Sequence, residues 1–290
     1  MHTIIAALDR PNQPATSPPN ISTRAFIQWL PDPPSEPTST EVLTSRQKYF
    51  VDIRILKDSN EKIDWAFAGR SESRKNEATG STSTRWYHTV DSRFLTDPES
   101  VIDQAEMLPE NPESGIALEK GSMVNPATGR ETAYVEGWRE TSVKHVPEPT
   151  QDEITAFEQE LQGRGVKFIA GDPDLRTLMR RGDPLEEGPS LVSCVLQHEN
   201  AARLSRGTIV RVGQFCQGVL RVGDDFAAER WEWSEQGGWR KVFASGSKSL
   251  NMPCDVACHL AVRMLRVGNG VAYGPDETWQ CVEEEHWKPV

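Results

Sequence analysis

The chain has 290 residues, enough for one large domain or two ordinary ones, and its 9 Trp and 9 Phe can build a core although only 37% of the residues are hydrophobic. Its 32 Lys and Arg against 43 Asp and Glu leave a net charge of -11, which argues against nucleic acid: phosphate binding needs a basic stripe, and none is evident. No run of 18 apolar residues suits a spanning helix, and the apolar start ends at Asp9 and Arg10 without the basic lead of a secretory signal, so a cytoplasmic protein is expected.

In chain order, residues 1–20 carry Pro11, Pro14, Pro18 and Pro19 among polar residues and predict a disordered arm. A strand begins at Thr23 and covers 25–30, after which Pro31, Pro33, Pro34 and Pro37 enforce a loop. Residues 41–43 read as a short strand. Residues 49–56 read as a strong one, with Val51, Ile53 and Ile55 alternating with Asp52 and Arg54. The stretch 63–69 sets Ile63, Trp65 and Phe67 on one side and Ala66 and Ala68 on the other. A bulky face backed by small residues suits a strand curving into a barrel or sandwich, where Trp65 serves a core before a ligand wall. The polar span 70–84 reads as an exposed loop, 86–94 as a strand, and the residues up to Glu113 as an acidic loop. Strands at 115–124 and 131–140 flank a turn at 125–129. Short strands separated by turn signals predict an all-β barrel or sandwich.

Residues 147–189 differ. Thr150 and Glu153 form a capping-box pattern ahead of Ile154, Phe157 and Leu161 at helical spacing, so a helix inside a linker is expected, with a second short helix at 172–181. Strands return at 191–196, across 207–220 as two strands or one bent at glycine, at 226–233 and 239–244 as a hairpin turning at Gly237-Gly238, and at 278–287. Residues 260–267 fit a strand or a helix and are assigned as a strand. Gly121, Pro126, Glu136 and Trp138 recur as Gly270, Pro275, Glu285 and Trp287 at a constant offset of 149 (270 less 121), which suggests two related units. The fold class is therefore mainly β: two barrel-like units in pseudo-repeat, over 21–146 and 190–290, joined by the partly helical linker.

The segment Trp65-Ala66-Phe67-Ala68-Gly69 resembles the hallmark of the fungal Hri family. Supporting it are the run from Pro33 to Thr40, Asn125-Pro126-Ala127-Thr128-Gly129, the Glu136-x-Trp138-Arg139 ending, Gly213-x3-Gln217-Gly218, and Trp279 with Val282-Glu283. The resemblance spans nearly the whole chain. It implies lipocalin-like barrels, a casein-kinase-type protein kinase as partner and a link to protein translocation, and it supplies no catalytic residues.

The residues themselves offer modest chemistry. Five cysteines (Cys194, Cys216, Cys254, Cys258 and Cys281) in a chain of cytoplasmic character read as free, buried thiols. Cys254-x3-Cys258-His259 lacks the second ligand pair of a structural zinc site, and on a strand the two cysteines would lie about 13 Å apart, so neither a metal nor a cofactor is expected. No local signature links a histidine to a nucleophilic cysteine. Glu136, Glu285 and His286 are the candidates for acid–base work, although composition favours solvated acidic strand ends for them. Trp65, Phe67, Trp138, Arg139, Trp231 and Trp233 are the candidate ligand-binding residues. Two functions follow: a binding or adaptor protein for a hydrophobic small molecule or a protein kinase, or a cofactor-free isomerase or cyclase acting on a hydrophobic fungal secondary metabolite.

Overall fold

The computed structural model describes residues 18–59, 62–170, 191–246, 252–260, 265–274 and 277–288. Eight strands form the first half: β1 (Asn20–Trp29), β2 (Thr38–Thr44), β3 (Tyr49–Leu56), β4 (Ile63–Lys75), β5 (Thr82–Asp91), β6 (Asp103–Met107), β7 (Ala117–Asn125) and β8 (Arg130–Thr141). Each pairs antiparallel with the next, and β8 returns to β1 from Ile21↔Thr141 to Trp29↔Tyr134, closing the barrel. Closure requires bent strands, and register shifts at Arg24/Phe26, Arg54/Ile55 and Ala68/Gly69 supply bends. Gly69 is obligatory at its shift, because a Cβ there would lie 1.8 Å from the Tyr87 carbonyl oxygen.

In the first half the expected strands are present, with two revisions to the loops between them. The span 70–84 is not a loop: β4 runs on to Lys75 and β5 starts at Thr82, so the polar residues form the exposed end of a long hairpin. Inside the expected acidic loop lies β6, a five-residue strand whose burial alternates too briefly to stand out. The arm expected over 1–20 lies outside the described residues as far as 17, and β1 has begun by Asn20.

The second half contributes β9 (Lys167–Ile169), β10 (Leu191–Asn200), β11 (Ser205–Val212), β12 (Phe215–Val222), β13 (Asp225–Ser234), β14 (Gly238–Gly246), β15 (Gly270–Ala272) and β16 (Thr278–Trp287). They form one antiparallel sheet in the order β14-β13-β12-β11-β10-β16-β15-β9. Among the described residues β14 and β9 are its two edges, so the expected second barrel is here a sheet without closure. The helix α1 (Gln151–Gly163) begins on the expected capping box, with Thr150 Oγ1 accepting from the Glu153 amide and Glu153 accepting from the Thr150 amide. Its buried Ile154 and Leu161, with Val166, join the core of the second sheet, and β9 pairs with β15, so this stretch is built into the sheet. The expected helix at 172–181 lies outside the described residues.

Of the strand expected over 260–267, Leu260 instead ends a helix, α2 (Cys254–Leu260), Leu265 and Arg266 are in no strand, and 261–264 lie outside the described residues. Six of the seven residues of α2 are buried, so it lacks the polar face that would have marked its period. Cys254 and Cys258 thus sit one helical turn apart. All five cysteines are free and lie in one buried cluster with Leu196, Ile209, Val256 and Trp279. Burial pushes the Cys281 thiol up to about 12. A thiol reagent at pH 8 is expected to label none of the five in the native protein on the timescale of minutes and all five in denaturant; rapid native labelling would contradict this core.

The sheet lies against the outside of the barrel. Val51, Ile53, Ile55, Ala66 and Ala68 share one buried cluster with Val195, Val210, Val212, Val219 and Ala228. The small Ala66 and Ala68, both fully buried, let the two layers approach. Polar contacts pin the interface. Arg230 donates to the Ile53 carbonyl at 2.8 Å and to Ser39 Oγ at 3.2 Å and pairs with Glu41 at 3.3 Å. Gln217 donates to the Glu41 carbonyl at 3.0 Å, and Ser45 Oγ donates to Glu283 at 2.6 Å.

Candidate functional site

On β3 the parity of the strand sends Phe50, Asp52 and Arg54 into the barrel and Val51, Ile53 and Ile55 out to the sheet. The charged face is therefore the interior one. From β1, β4, β5 and β6 come Arg24, Trp65, Phe67, His88 and Asp103, and from β7 and β8 come Glu119, Tyr134, Glu136 and Trp138. All are buried. Phe67, Asp103, Glu119, Tyr134, Glu136 and Trp138 line a cavity of about 240 Å³, and Arg24, Trp65 and His88 lie behind this lining. Its lining includes the aromatic Phe50, Phe67, Trp86 and Trp138 and the carboxyls of Asp52, Asp103, Glu119 and Glu136, and exposed Glu110, Arg139 and Glu140 mark its open end.

Two arginines and a histidine organise these carboxyls. Glu136 Oε1 accepts from Nη1 of both Arg24 and, at 3.3 Å, Arg54. Arg24 also reaches Glu36 at 3.0 Å and Thr38 at 2.7 Å. Arg54 donates to Asp52 Oδ2 at 3.0 and 3.1 Å and lies 4.9 Å from the Trp65 ring centroid. His88 stacks on Phe67 with ring centroids 4.3 Å apart. Its Nδ1 lies 2.7 Å from Asp91 and its Nε2 3.2 Å from Asp103, so both ring nitrogens face carboxylates and both donate when the ring is charged. Asp91 in turn accepts from the Trp65 indole at 2.9 Å.

These surroundings move the titrations. For His88, burial favours the neutral ring, but the hydrogen bonds and charges of Asp103 and Asp91 outweigh it and raise its pKa. Burial pushes Glu119 well above the usual carboxylate range, and the charges of Glu136 and Asp103 add to this, against the hydrogen bond it accepts from Tyr134 at 2.9 Å. Burial also lifts Asp52, which Arg54 opposes without cancelling. Both a raised histidine and a raised carboxyl mean that the folded state holds protons the unfolded state releases, so stability falls as pH rises through each folded pKa. Denaturant midpoints measured from pH 4 to 9 are expected to fall with pH. His88→Gln should remove the part of the fall that begins near the ordinary histidine value of about 6.5. Glu119→Gln should remove the part that begins near about 4.3. Flat wild-type midpoints across this range would contradict both assignments.

Of the residues singled out from the sequence, Phe67, Glu136, Trp138 and Arg139 line the cavity, and Trp65 is buried beside it, capped by Asp91. The others lie in the second half. Glu285 pairs with Arg46 across the interface, and His286 Nε2 bonds Glu284 at 2.8 Å, so neither joins Glu136 in one site. Trp231 donates to Glu229 at 2.9 Å and packs on the second core. Trp233 lines a separate cavity of about 400 Å³ with Phe157, Arg211, Trp239 and His259, between α1, α2 and the β13–β14 hairpin rather than inside a second barrel. Sequence reasoning missed Arg24, Asp52, Arg54, His88, Asp103, Glu119 and Tyr134. A usable signal was parity: Phe50 with Asp52 and Arg54, Trp86 with His88, and Tyr134 with Glu136 and Trp138 place aromatics and charges on the same face of a strand.

No helix among the described residues is long and apolar enough to cross a membrane. The crystal structure of an uncharacterized protein, YLR301w, from Saccharomyces cerevisiae is similar in fold, with a TM-score of 0.63 at 15% identity over 92% of this chain and 99% of that one. No curated protein matches the sequence. The family model for Protein HRI1 matches residues 20–283, nearly the whole of the chain that forms the barrel and the sheet. The chain belongs to the HRI1 family.

Proposed function

We propose that this is a binding protein whose closed barrel holds a small molecule. The observation that carries the reading is the cavity itself. Two buried atoms of its lining residues, Asp52 Oδ1 and the Trp138 indole nitrogen Nε1, find no hydrogen-bond partner among the described residues. A buried donor and acceptor without partners cost free energy in the empty protein that a ligand can recover. Carboxyls alternate with the aromatics in these walls, so the expected hydrophobic small molecule suits them best when it also carries polar groups. Native mass spectrometry of protein purified from its own organism tests the reading. The expected result is a bound small molecule that Ala117→Trp, which fills the cavity, abolishes; retention of that molecule by the filled variant would refute it.

Enzymatic use of the same cavity is the second reading, favoured by one arrangement. Asp103 lines the cavity and is backed by His88 and then Asp91, while Glu119 has its proton affinity raised beside it. A carboxylate base and a neutral carboxylic acid in one cavity are what a cofactor-free isomerase or cyclase needs. Metabolite profiles that change on gene deletion and are not restored by Asp103→Asn would support it. The kinase partner rests on what the family resemblance implies and the cytoplasmic location on that resemblance together with the composition, and recovery of a protein kinase by affinity purification tests the former. Relatedness of the two halves is supported by one correspondence in topology: the final hairpin of each ends on a strand that returns to the first strand of its own unit, β8 to β1 and β16 to β10.

A further inference from the structure

We propose that the barrel cavity is selective for a small organic ammonium ion that carries an acceptor oxygen and an apolar body. The inference rests on the cavity being a ligand site and names the class of ligand.

Charge is the first observation. The buried interior of the barrel and its wall hold the carboxyls of Asp52, Asp91, Asp103 and Glu136 against three bases, Arg24, Arg54 and His88, with the Glu119 carboxyl beside them held toward its neutral form. Glu36, also bonded to Arg24, widens the excess. Each base is already committed: Arg24 to Glu36 and Glu136, Arg54 to Asp52 and Glu136, His88 to Asp91 and Asp103. An anionic ligand would therefore meet carboxyls with no uncommitted buried base among these to receive it. A cation would supply the charge the interior lacks.

The unpartnered atoms give the second observation. Asp52 Oδ1 is an acceptor without a donor among the described residues, and Asp52 is only 3% exposed. An ammonium N–H fits it. Trp138 Nε1 is a donor only, so it calls for an oxygen or similar acceptor on the same ligand. These two demands differ in sign, and a bare alkylammonium ion would meet only one of them.

The third observation is the wall. Phe50, Phe67, Trp86 and Trp138 line the cavity between the carboxyls. Aromatic faces attract ammonium groups and repel carboxylates, and they bury an apolar body of ligand at the same time.

The test titrates four matched probes into the purified full-length protein by calorimetry: 2-amino-1-phenylethanol, 2-phenylethylamine, 1-phenylethanol and mandelate. The amino alcohol is expected to bind about tenfold or more tighter than 1-phenylethanol, the difference one charge-assisted hydrogen bond makes, and mandelate should not bind. Glu119→Gln and Asp52→Asn should each reduce the advantage of the amine. Trp138→Phe should bring the amino alcohol down to the affinity of 2-phenylethylamine. Far-UV circular dichroism and thermal melting identify variants that keep the fold, and Glu119→Gln, which exchanges a buried carboxyl for an amide of the same shape, is the variant best placed to keep it. If 1-phenylethanol or mandelate binds as tightly as the amines, the cation preference is wrong while the ligand cavity stands. If amine binding is unchanged in both carboxyl variants, the cation sits elsewhere and the proposal falls. If none of the four probes binds, this assignment of ligand class is overturned, and the mass-spectrometric test of the cavity decides the broader reading separately.

Discussion

Replacing Glu136 with leucine is expected to destabilise the protein by about 3 kcal/mol, the lower end of the cost of breaking a buried ion pair. One oxygen of Glu136 receives both Arg24 and Arg54, and the side-chain exposures of these three are 3%, 2% and 10%. Loss of the carboxylate leaves two neighbouring guanidiniums facing one another with their attraction replaced by repulsion. Each keeps one other carboxylate, Glu36 for Arg24 and Asp52 for Arg54, which is why the lower end of the range applies. Glu136→Gln retains an acceptor and should lose less. Urea denaturation of the three proteins measures the difference; equal midpoints for wild type and the leucine variant would mean that the two arginines do not depend on Glu136. The same residue was a candidate acid or base from sequence, and its position between two arginines gives it a structural part whichever reading of the cavity holds.

Arg230→Leu is expected to cost about 2–3 kcal/mol through lost hydrogen bonds to charged and backbone groups. Arg230, 3% exposed, comes from β13 and passes through the sheet–barrel interface to the Ile53 carbonyl, Ser39 and Glu41. Its removal strands a buried carbonyl and half-strands Glu41, whose side chain is 16% exposed and recovers some hydration. The effect should appear as weaker coupling between the two layers. Denaturation followed by the fluorescence of barrel tryptophans and by labelling of the second-half cysteines should coincide in the wild type and separate in the variant. Coincident transitions in the variant would show that the apolar contact alone holds the layers together.

Strand existence was well marked in this sequence wherever alternation ran for eight residues or more. Tyr49–Leu56 and Thr278–Trp287 have the bounds expected of them, and the capping box at Thr150 and Glu153 starts α1 as read. Local chemistry decides such features, so local chemistry reveals them. β6 was hidden because five residues hold too few alternations, and α2 because burial on nearly all sides erases helical periodicity. The site was partly legible: Phe67, Glu136, Trp138 and Arg139 do line one cavity, whereas Glu285 and His286 have partners at the interface and on their own strand.

What the sequence determined by itself is the mainly β class, the strand sequence of the first barrel apart from β6, and the aromatic face of Trp65 and Phe67. Which face of each strand points inward is a different matter. On β3 a reading by hydropathy turns Val51, Ile53 and Ile55 toward the barrel interior, yet they face outward, because the second sheet covers that side and removes it from water. Asp52 and Arg54 can then occupy the interior only because Glu136, Arg24 and the cavity arrive from strands far away in the chain. Alternation specifies two faces, and only the tertiary structure decides which of them is covered by another layer and which encloses the site.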